Sequence, residues 1–509
     1  MAKRDTFQDL SLDPPQAGHP LWHWLYSQLR GVILNGRLKP GTRMPSSRNL
    51  AKQYSLSRGT VVAAFEHLQS EGYVETQVGA GSFVAANLPN DVVSDRSKEH
   101  PGRPAVRAGL SRAQLANRGR VMAQSSLHLP ASYSLGRAFR SHEPALDLFP
   151  VQLWNRVSSR VLRHAPRTLY GHGEAIGYRP LRRAIAEYVG AARGVRCDAD
   201  QILITSGAQQ ALDLVIRLLM DAGDSAWVED PGYPGIVSAL RAGGARIIPV
   251  PVDRHGLQVD VGVRRGRKAK LAYVTPANQF PLGYVMSIER RLSLLNWALK
   301  EGAWIVEDDY DSEYRYSGRP VAALQGLDRN ESVIYVGTFT KMLFPSLRIG
   351  FLVLPSRIVD AFAAAKASVD RHAPTLDQAI LSEFILEGHF GHHVRRMRQI
   401  YAERVGVLVD ACKRKLHGLI DVISAPAGMR TVGWLPTDLD DSIAAQSAIA
   451  RGLEVAALSR FAVKHRSPNG LVLGFAACNE AEIRRGVDVL AEALGDCAYP
   501  FRSAASIAP

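Results

Sequence analysis

One lysine stands where a reactive amine would be placed. Val333-Ile334-Tyr335-Val336 is an apolar run of strand length that breaks at Gly337 into Thr338-Phe339-Thr340-Lys341, with Pro345-Ser346-Leu347-Arg348 close behind. A lysine just past a buried strand is poorly solvated. Desolvation lowers its pKa and favours the free amine, the form that makes a Schiff base with a carbonyl. Thr338, Thr340 and Arg348 supply the hydroxyls and the guanidinium that a phosphate needs around that amine. Taken alone, the same residues also describe a surface turn with an ordinary lysine. Upstream, Ala303-Trp304-Ile305-Val306 is another apolar run, and it ends in Glu307-Asp308-Asp309-Tyr310. A carboxylate at a strand end can pair with a pyridinium nitrogen and keep it protonated, which makes the ring an electron sink.

Three further loops follow strand-like runs. Thr205-Ser206-Gly207-Ala208-Gln209 opens a helix, whose first N–H groups suit a phosphate, although a plain strand-to-helix turn reads the same way. Glu229-Asp230-Pro231-Gly232-Tyr233 places a tyrosine that could stack on or edge a ring, or do neither. Thr275-Pro276-Ala277-Asn278-Gln279-Phe280-Pro281-Leu282-Gly283 is the third. Together these motifs resemble fold-type-I pyridoxal 5'-phosphate (PLP) enzymes, the aminotransferase fold. Glu-Asp-Asp-Tyr-Asp-Ser-Glu (307–313) with Gly-Thr-Phe-Thr-Lys (337–341) resembles in particular the MocR/GabR-type regulators, which join a winged-helix DNA-binding domain to that fold.

The resemblance implies a role for each residue. Lys341 takes the internal-aldimine position, Asp308 the pyridinium position, and Tyr310 and Asn278 the ring-oxygen positions. Ser206, Gly207, Ala208 and Gln209 join Thr338, Thr340 and Arg348 around the phosphate. Tyr170, in Leu169-Tyr170-Gly171, matches a tyrosine that reaches the phosphate of the partner subunit, which implies a homodimer with shared sites. The chain also departs from the pattern. Asn278 stands where these regulators usually carry histidine, and it can still donate to the ring oxygen. The C-terminal Arg-Leu-x-Phe strand, whose arginine binds a substrate carboxylate in aminotransferases, reads Val472-Leu473-Gly474-Phe475 here. Arg460 is the expected replacement for effector binding, and Gly235 stands where some regulators place a second anion-binding arginine.

The elements that must position these groups are legible as alternating runs. Strand-like stretches at 202–205, 226–229, 246–250, 271–275, 304–306, 333–336 and 351–354 alternate with helical ones. The pattern predicts an α/β fold, a mainly parallel seven-stranded sheet covered on both faces. Beyond about residue 370, long helices with strands at 430–435 and 470–475 predict a smaller C-terminal α/β lobe. Residues 1–85 hold three predicted helices and a hairpin, a winged helix-turn-helix. Leu38-Lys39-Pro40-Gly41-Thr42-Arg43-Met44-Pro45-Ser46-Ser47-Arg48 and Ser57-Arg58-Gly59-Thr60-Val61-Val62 resemble the GntR-superfamily winged helix. On that resemblance Arg43, Ser46, Arg48, Arg58, Thr60 and Gly79 contact operator DNA, with Ser57 leading the third helix into the major groove. Residues 86–135, rich in Pro, Ser and Arg and without apolar periodicity, read as a basic flexible linker: a solvated tether, or an arm that attracts phosphates. Residues 136–509 then form the aminotransferase-like domain.

Composition bounds the rest. A net charge of +14 over 509 residues suits a polyanionic partner. Four cysteines, Cys197, Cys412, Cys478 and Cys497, lie too far apart for a zinc knuckle or a disulfide scaffold, so no metal is expected and a reduced cytoplasmic setting is. No apolar run is long enough to cross a membrane. The expected function is PLP-dependent transcriptional regulation, with a small amine or amino-acid effector read through Lys341. Two alternatives stay open: a genuine aminotransferase with a DNA-binding head, and a regulator that senses PLP itself and controls its synthesis.

Overall fold

The computed structural model describes residues 12–14, 20–77, 80–88, 115–124, 138–141, 143–318, 321–464 and 468–498. The chain divides into two units, Met1–Gln114 and Leu115–Pro509.

In the first unit, α1 (Leu21–Leu34) buries Leu25, Leu29, Val32 and Ile33, the i, i+4, i+7, i+8 stripe of an amphipathic helix. α2 (Ser47–Gln53) starts at Ser46, whose hydroxyl accepts from the Asn49 N–H. α3 (Arg58–Ser70) starts at Ser57, whose hydroxyl accepts from the Thr60 N–H at 3.1 Å. Such caps satisfy helix N–H groups that have no partner within the helix. Val61, Ala64 and Leu68 of α3 meet the α1 stripe in one small core. Strands β1 (Val74–Gln77) and β2 (Gly81–Val84) pair antiparallel as the wing. Trp22 does not join the core; its ring stacks on His67 at 4.5 Å.

The second unit is built on an eight-stranded sheet. Its strands are β3 (Ile202–Thr205), β4 (Ser225–Asp230), β5 (Arg246–Asp253), β6 (Gly256–Leu257), β7 (Leu271–Val274), β8 (Trp304–Asp309), β9 (Val333–Thr338) and β10 (Gly350–Val353), in the order β3-β10-β9-β8-β7-β4-β5-β6. The run β9-β8-β7-β4-β5 is parallel, β10 is antiparallel to both of its neighbours, and β6 is a two-residue addition at one edge. Seven strands of ordinary length therefore match the expectation, and the eighth is too short to show as an apolar run. The strands read as continuous apolar runs because both faces are buried. Leu203, Ile334, Val336 and Leu352 face one core, while Ile204, Tyr335 and Phe351 face another. Ala272, Ile305 and Val333 enter a third core, in which Trp227 stacks on Trp297 at 3.8 Å. Each aliphatic side chain buried this way contributes about 1.5–3 kcal/mol.

The smaller lobe carries a four-stranded antiparallel sheet of β11 (Asp421–Val422), β12 (Arg430–Trp434), β13 (Ala456–Ala457) and β14 (Gly470–Gly474), ordered β11-β12-β14-β13. Within the stretch expected to be irregular, residues Asn117–Ala123 form a helix that lies against helix Pro234–Ala242. It buries none of its own residues, so its sequence carries no apolar period to read. The rest of the 86–135 stretch, apart from residues 86–88 and 115–124, lies outside the described residues. No described helix is long and apolar enough to cross a membrane.

Candidate functional site

The parallel strands bring their C-terminal ends to one edge, the usual ligand position in an open α/β sheet. β8 delivers Asp308 and Asp309 there, and Tyr310 follows; β9 delivers Thr338, with Lys341 three residues on. Asp308 pairs with Val336 in the β8–β9 register, so the acid and the lysine arise from adjacent strands.

Asp308 is 5% exposed. The Tyr273 hydroxyl, from β7, donates to its Oδ2 at 2.7 Å, while Oδ1 is buried with no hydrogen-bond partner. Burial pushes Asp308 up to about 7, against the opposing pull of Tyr273. Lys341 is pushed the other way, down to about 8, first by burial and then by the nearby Arg430 charge. This is the direction that the position of the lysine predicted, and it makes a free amine accessible near neutral pH.

The loop after β7 folds over this edge. Asn278 donates to Asp311 Oδ1 at 2.7 Å, and the Tyr310 hydroxyl donates to the Asn278 carbonyl at 2.7 Å. Buried Gln279 holds the loop in shape through bonds to the Pro231 carbonyl at 2.9 Å and to Glu229 at 3.2 Å. Glu229 also accepts from the Thr275 hydroxyl at 2.6 Å, and burial pushes it up to about 7. Tyr233 donates to Gln209 Oε1 at 3.3 Å, and its ring meets Phe280 edge-on at 5.7 Å.

The expected phosphate residues also converge. Gly207 caps helix Ala208–Leu219 with φ +100, a conformation that favours glycine. An added Cβ there would lie 3.0 Å from Arg348 Nη2. Arg348 donates to the Ser206 carbonyl at 2.5 Å, and the Thr338 and Thr340 hydroxyls bond to each other. Helix N–H groups, two hydroxyls and one exposed guanidinium form a donor set suited to a phosphate dianion.

Two of the expected residues stand apart. Tyr170 is 61% exposed at the end of the turn Arg167–Tyr170. Arg460 is exposed on the turn Leu458–Phe461. The guanidinium that is buried at the site belongs instead to Arg430, 6% exposed, which the sequence reading placed only as a strand residue. It donates to the Tyr310 hydroxyl, and its Cζ sits 4.3 Å from the Phe280 ring centre. Tyr273, Gln279 and Glu229 were missed as well. In the first unit Arg43, Ser46, Arg48, Ser57 and Arg58 are exposed and Thr60 is half-buried. The Ser57 and Thr60 hydroxyls lie 2.8 Å apart. Gly79 lies outside the described residues.

A buried acid with one oxygen unpartnered, a lysine whose pKa burial lowers to about 8 and a phosphate-type cradle define an aminotransferase-class site. Sequence comparison agrees: residues 146–490 match the aminotransferase class I and II family, and residues 24–84 match the gntR family of bacterial regulatory proteins. The chain belongs to the MocR-type transcriptional regulators, in which these two regions are joined. It is 39% identical to the probable rhizopine catabolism regulatory protein MocR of Rhizobium meliloti over 93% of this chain and 94% of that protein. It is 28% identical to the pyridoxine biosynthesis regulator PdxR of Corynebacterium glutamicum, over 90% of this chain and 93% of that protein. Among solved structures it resembles α-aminoadipate aminotransferase LysN of Thermus thermophilus, complexed with N-(5'-phosphopyridoxyl)-L-leucine, at TM-score 0.66 and 28% identity, covering 76% of this chain and 96% of that one.

Proposed function

We propose that this regulator holds PLP at Lys341 and reads a small amine or amino acid there, while its winged helix binds operator DNA. The observation that carries the reading is the Asp308 carboxylate, whose Oδ1 is buried without a partner on the strand next to the one that leads to Lys341. A protonated ring nitrogen satisfies that oxygen, and the ionised acid in turn keeps the ring protonated. Asn278 and Tyr310 serve the ring oxygen and Tyr233 the ring. Ser206, Gly207, Ala208, Gln209, Thr338, Thr340 and Arg348 serve the phosphate. Once bound, PLP supplies a carbonyl that exchanges one amine for another. Tyr170, exposed in the single chain, suits a homodimer in which each copy completes the other's phosphate site.

On the DNA side, Arg58 at the start of α3 reads a base edge, and Arg43, Ser46, Arg48, Ser57, Thr60 and Gly79 set the backbone contacts. This reading divides the chain at 1–85, 86–135 and 136–509, and operator DNA places its work in the cytoplasm. Effector exchange at Lys341 changes how the two winged helices are presented. The test is a gel shift on genomic fragments with PLP-loaded protein, with and without candidate amines. An affinity that no amine and no PLP alters removes the sensing role.

A second reading, true transamination, is favoured by the retention of Lys341, Asp308, Asn278 and Tyr310 together. Turnover of an amino donor with a 2-oxo acid separates the two. The PdxR likeness keeps PLP itself as a candidate signal, which DNA binding that responds to PLP without any amine would reveal.

A further inference from the structure

The C-terminal lobe lacks an arginine at Val472 but presents one from the next strand. In the β12–β14 ladder Val432 lies opposite Val472 and Arg430 opposite Gly474. Residues two apart on a strand share a face. Val432 and Val472 pack with Leu282 and Phe461, so this face of the small sheet looks toward the loop that follows β7. Arg430 continues the face by one more pair. Its Cζ lies 4.3 Å from the ring centre of Phe280 and 5.0 Å from that of Tyr310, so two aromatic rings fix the plane of the guanidinium.

From this geometry we infer that Arg430 is the seat of a single carboxylate carried by the amine effector. The inference rests on the reading that an amine reacts at Lys341. A guanidinium carries five N–H donors. Here one nitrogen donates to the Tyr310 hydroxyl, and Nε is buried with no partner. Nη1 stands 3.9 Å from Asp311 Oδ2, beyond hydrogen-bond reach, while Asp311 Oδ1 accepts from Asn278. Buried donors left unpaired are costly, and a carboxylate can take two of them side by side. Asp311 is a weak competitor, because burial raises its pKa toward the neutral acid.

The site is built for one carboxylate and not two. Gly235, the position at which some regulators of this kind carry a second arginine, is closed: an added Cβ would lie 2.2 Å from the Tyr233 ring and 2.4 Å from Gln209 Oε1. Arg460 is exposed and keeps its hydration, so it offers less to a buried anion than Arg430 does.

The full chain loaded with PLP is titrated with two matched pairs, L-alanine against ethylamine and 4-aminobutanoate against propylamine, following the cofactor absorbance. The carboxylate member of at least one pair should bind roughly tenfold to a hundredfold more tightly. Arg430→Gln should take up PLP and lose that preference; Arg460→Ala should keep it. Arg430→Lys, which retains the charge and loses the fork, should retain only part of it and serves if the glutamine variant does not fold. As a readout without cofactor, propionate should raise the melting temperature of the wild-type apo chain and leave Arg430→Gln unmoved. A wild type with no preference in either pair overturns the proposal, as does a preference that survives Arg430→Gln or disappears with Arg460→Ala. Failure to take up PLP shows before any amine is added. It counts against the cofactor reading, and the propionate melt then decides on Arg430 alone.

Discussion

The Tyr273 hydroxyl and the Asp308 carboxylate form a 2.7 Å hydrogen bond between the ends of neighbouring strands. The bond occupies one carboxylate oxygen and leaves the other without a protein partner. It also restrains an acid that burial drives toward neutrality, so the pair has a pH signature.

Asp308 has a folded pKa raised from 3.8 to about 7. Between those values the native chain binds a proton that the unfolded chain has released, so this residue's contribution to stability falls as pH rises through that window and is flat above it. Asp308→Asn removes the dependence. Calorimetry of the apo chain should show the variant gaining on wild type as pH rises from about 4 to 7, by on the order of 2–4 kcal/mol. A constant difference across that range would refute the burial account.

Lys341 should be the only attachment point. Borohydride treatment of the PLP-loaded chain should fix the pyridoxyl mass on the Lys341 peptide, and Lys341→Ala should show no fixed mass. Because its pKa is lowered to about 8, the rate of PLP uptake should rise with pH and level off above that value. Arg430→Gln removes a cation that depresses this amine, so the inflection should move to higher pH. An inflection that stays put means the Arg430 charge does not reach Lys341.

Gly207→Ala tests the phosphate cradle. The backbone there has φ +100, and the new methyl would press on Arg348 at 3.0 Å. An alanine held at φ +100 and ψ 171 costs about 1–3 kcal/mol. The PLP dissociation constant, measured by fluorescence, should rise about tenfold while the melting profile of the winged helix is unchanged. Unaltered PLP affinity would move the phosphate elsewhere.

On the DNA side, Arg58→Ala should relax base preference at one operator position and cost about 1–3 kcal/mol. Arg48→Ala should weaken binding evenly across sequences and reduce its salt dependence. Fluorescence anisotropy on an operator and its single-base variants distinguishes the two patterns, and equal losses on every sequence for both would leave Arg58 without a reading role.

Much of this was visible in the sequence because doubly buried strands are continuous apolar runs, and the chemistry sits where each run stops. Asp308, Thr338 and Lys341 were legible for that reason, as were Ser46 and Ser57 before their helices. Tyr273 was not, since a tyrosine inside an apolar strand looks like core until the register sets its hydroxyl beside Asp308. Gln279 and Glu229 were hidden because their partners lie about 50 residues apart and only the folded loop joins them. Arg430 lies 120 residues from Tyr310, which it contacts, whereas the sequence pointed to Arg460, shortly before the strand of Val472, as the carboxylate anchor. The exchange of one strand for its neighbour is a tertiary fact with no local signal.

Gly474, the residue opposite Arg430, has one more neighbour. Its N–H donates to the Phe139 carbonyl at 2.9 Å, and a Cβ in its place would strike the Arg140 carbonyl oxygen at 1.9 Å. Arg140 is clamped in turn by Glu143 at 2.8 Å and Glu454 at 2.5 Å. Residues 138–141 are thus laced to β14, the strand beside the one that bears Arg430. A shift of Arg430 therefore has a short covalent-free route to residues 138–141, through its pair with Gly474 and the isolated Gly474–Phe139 bridge.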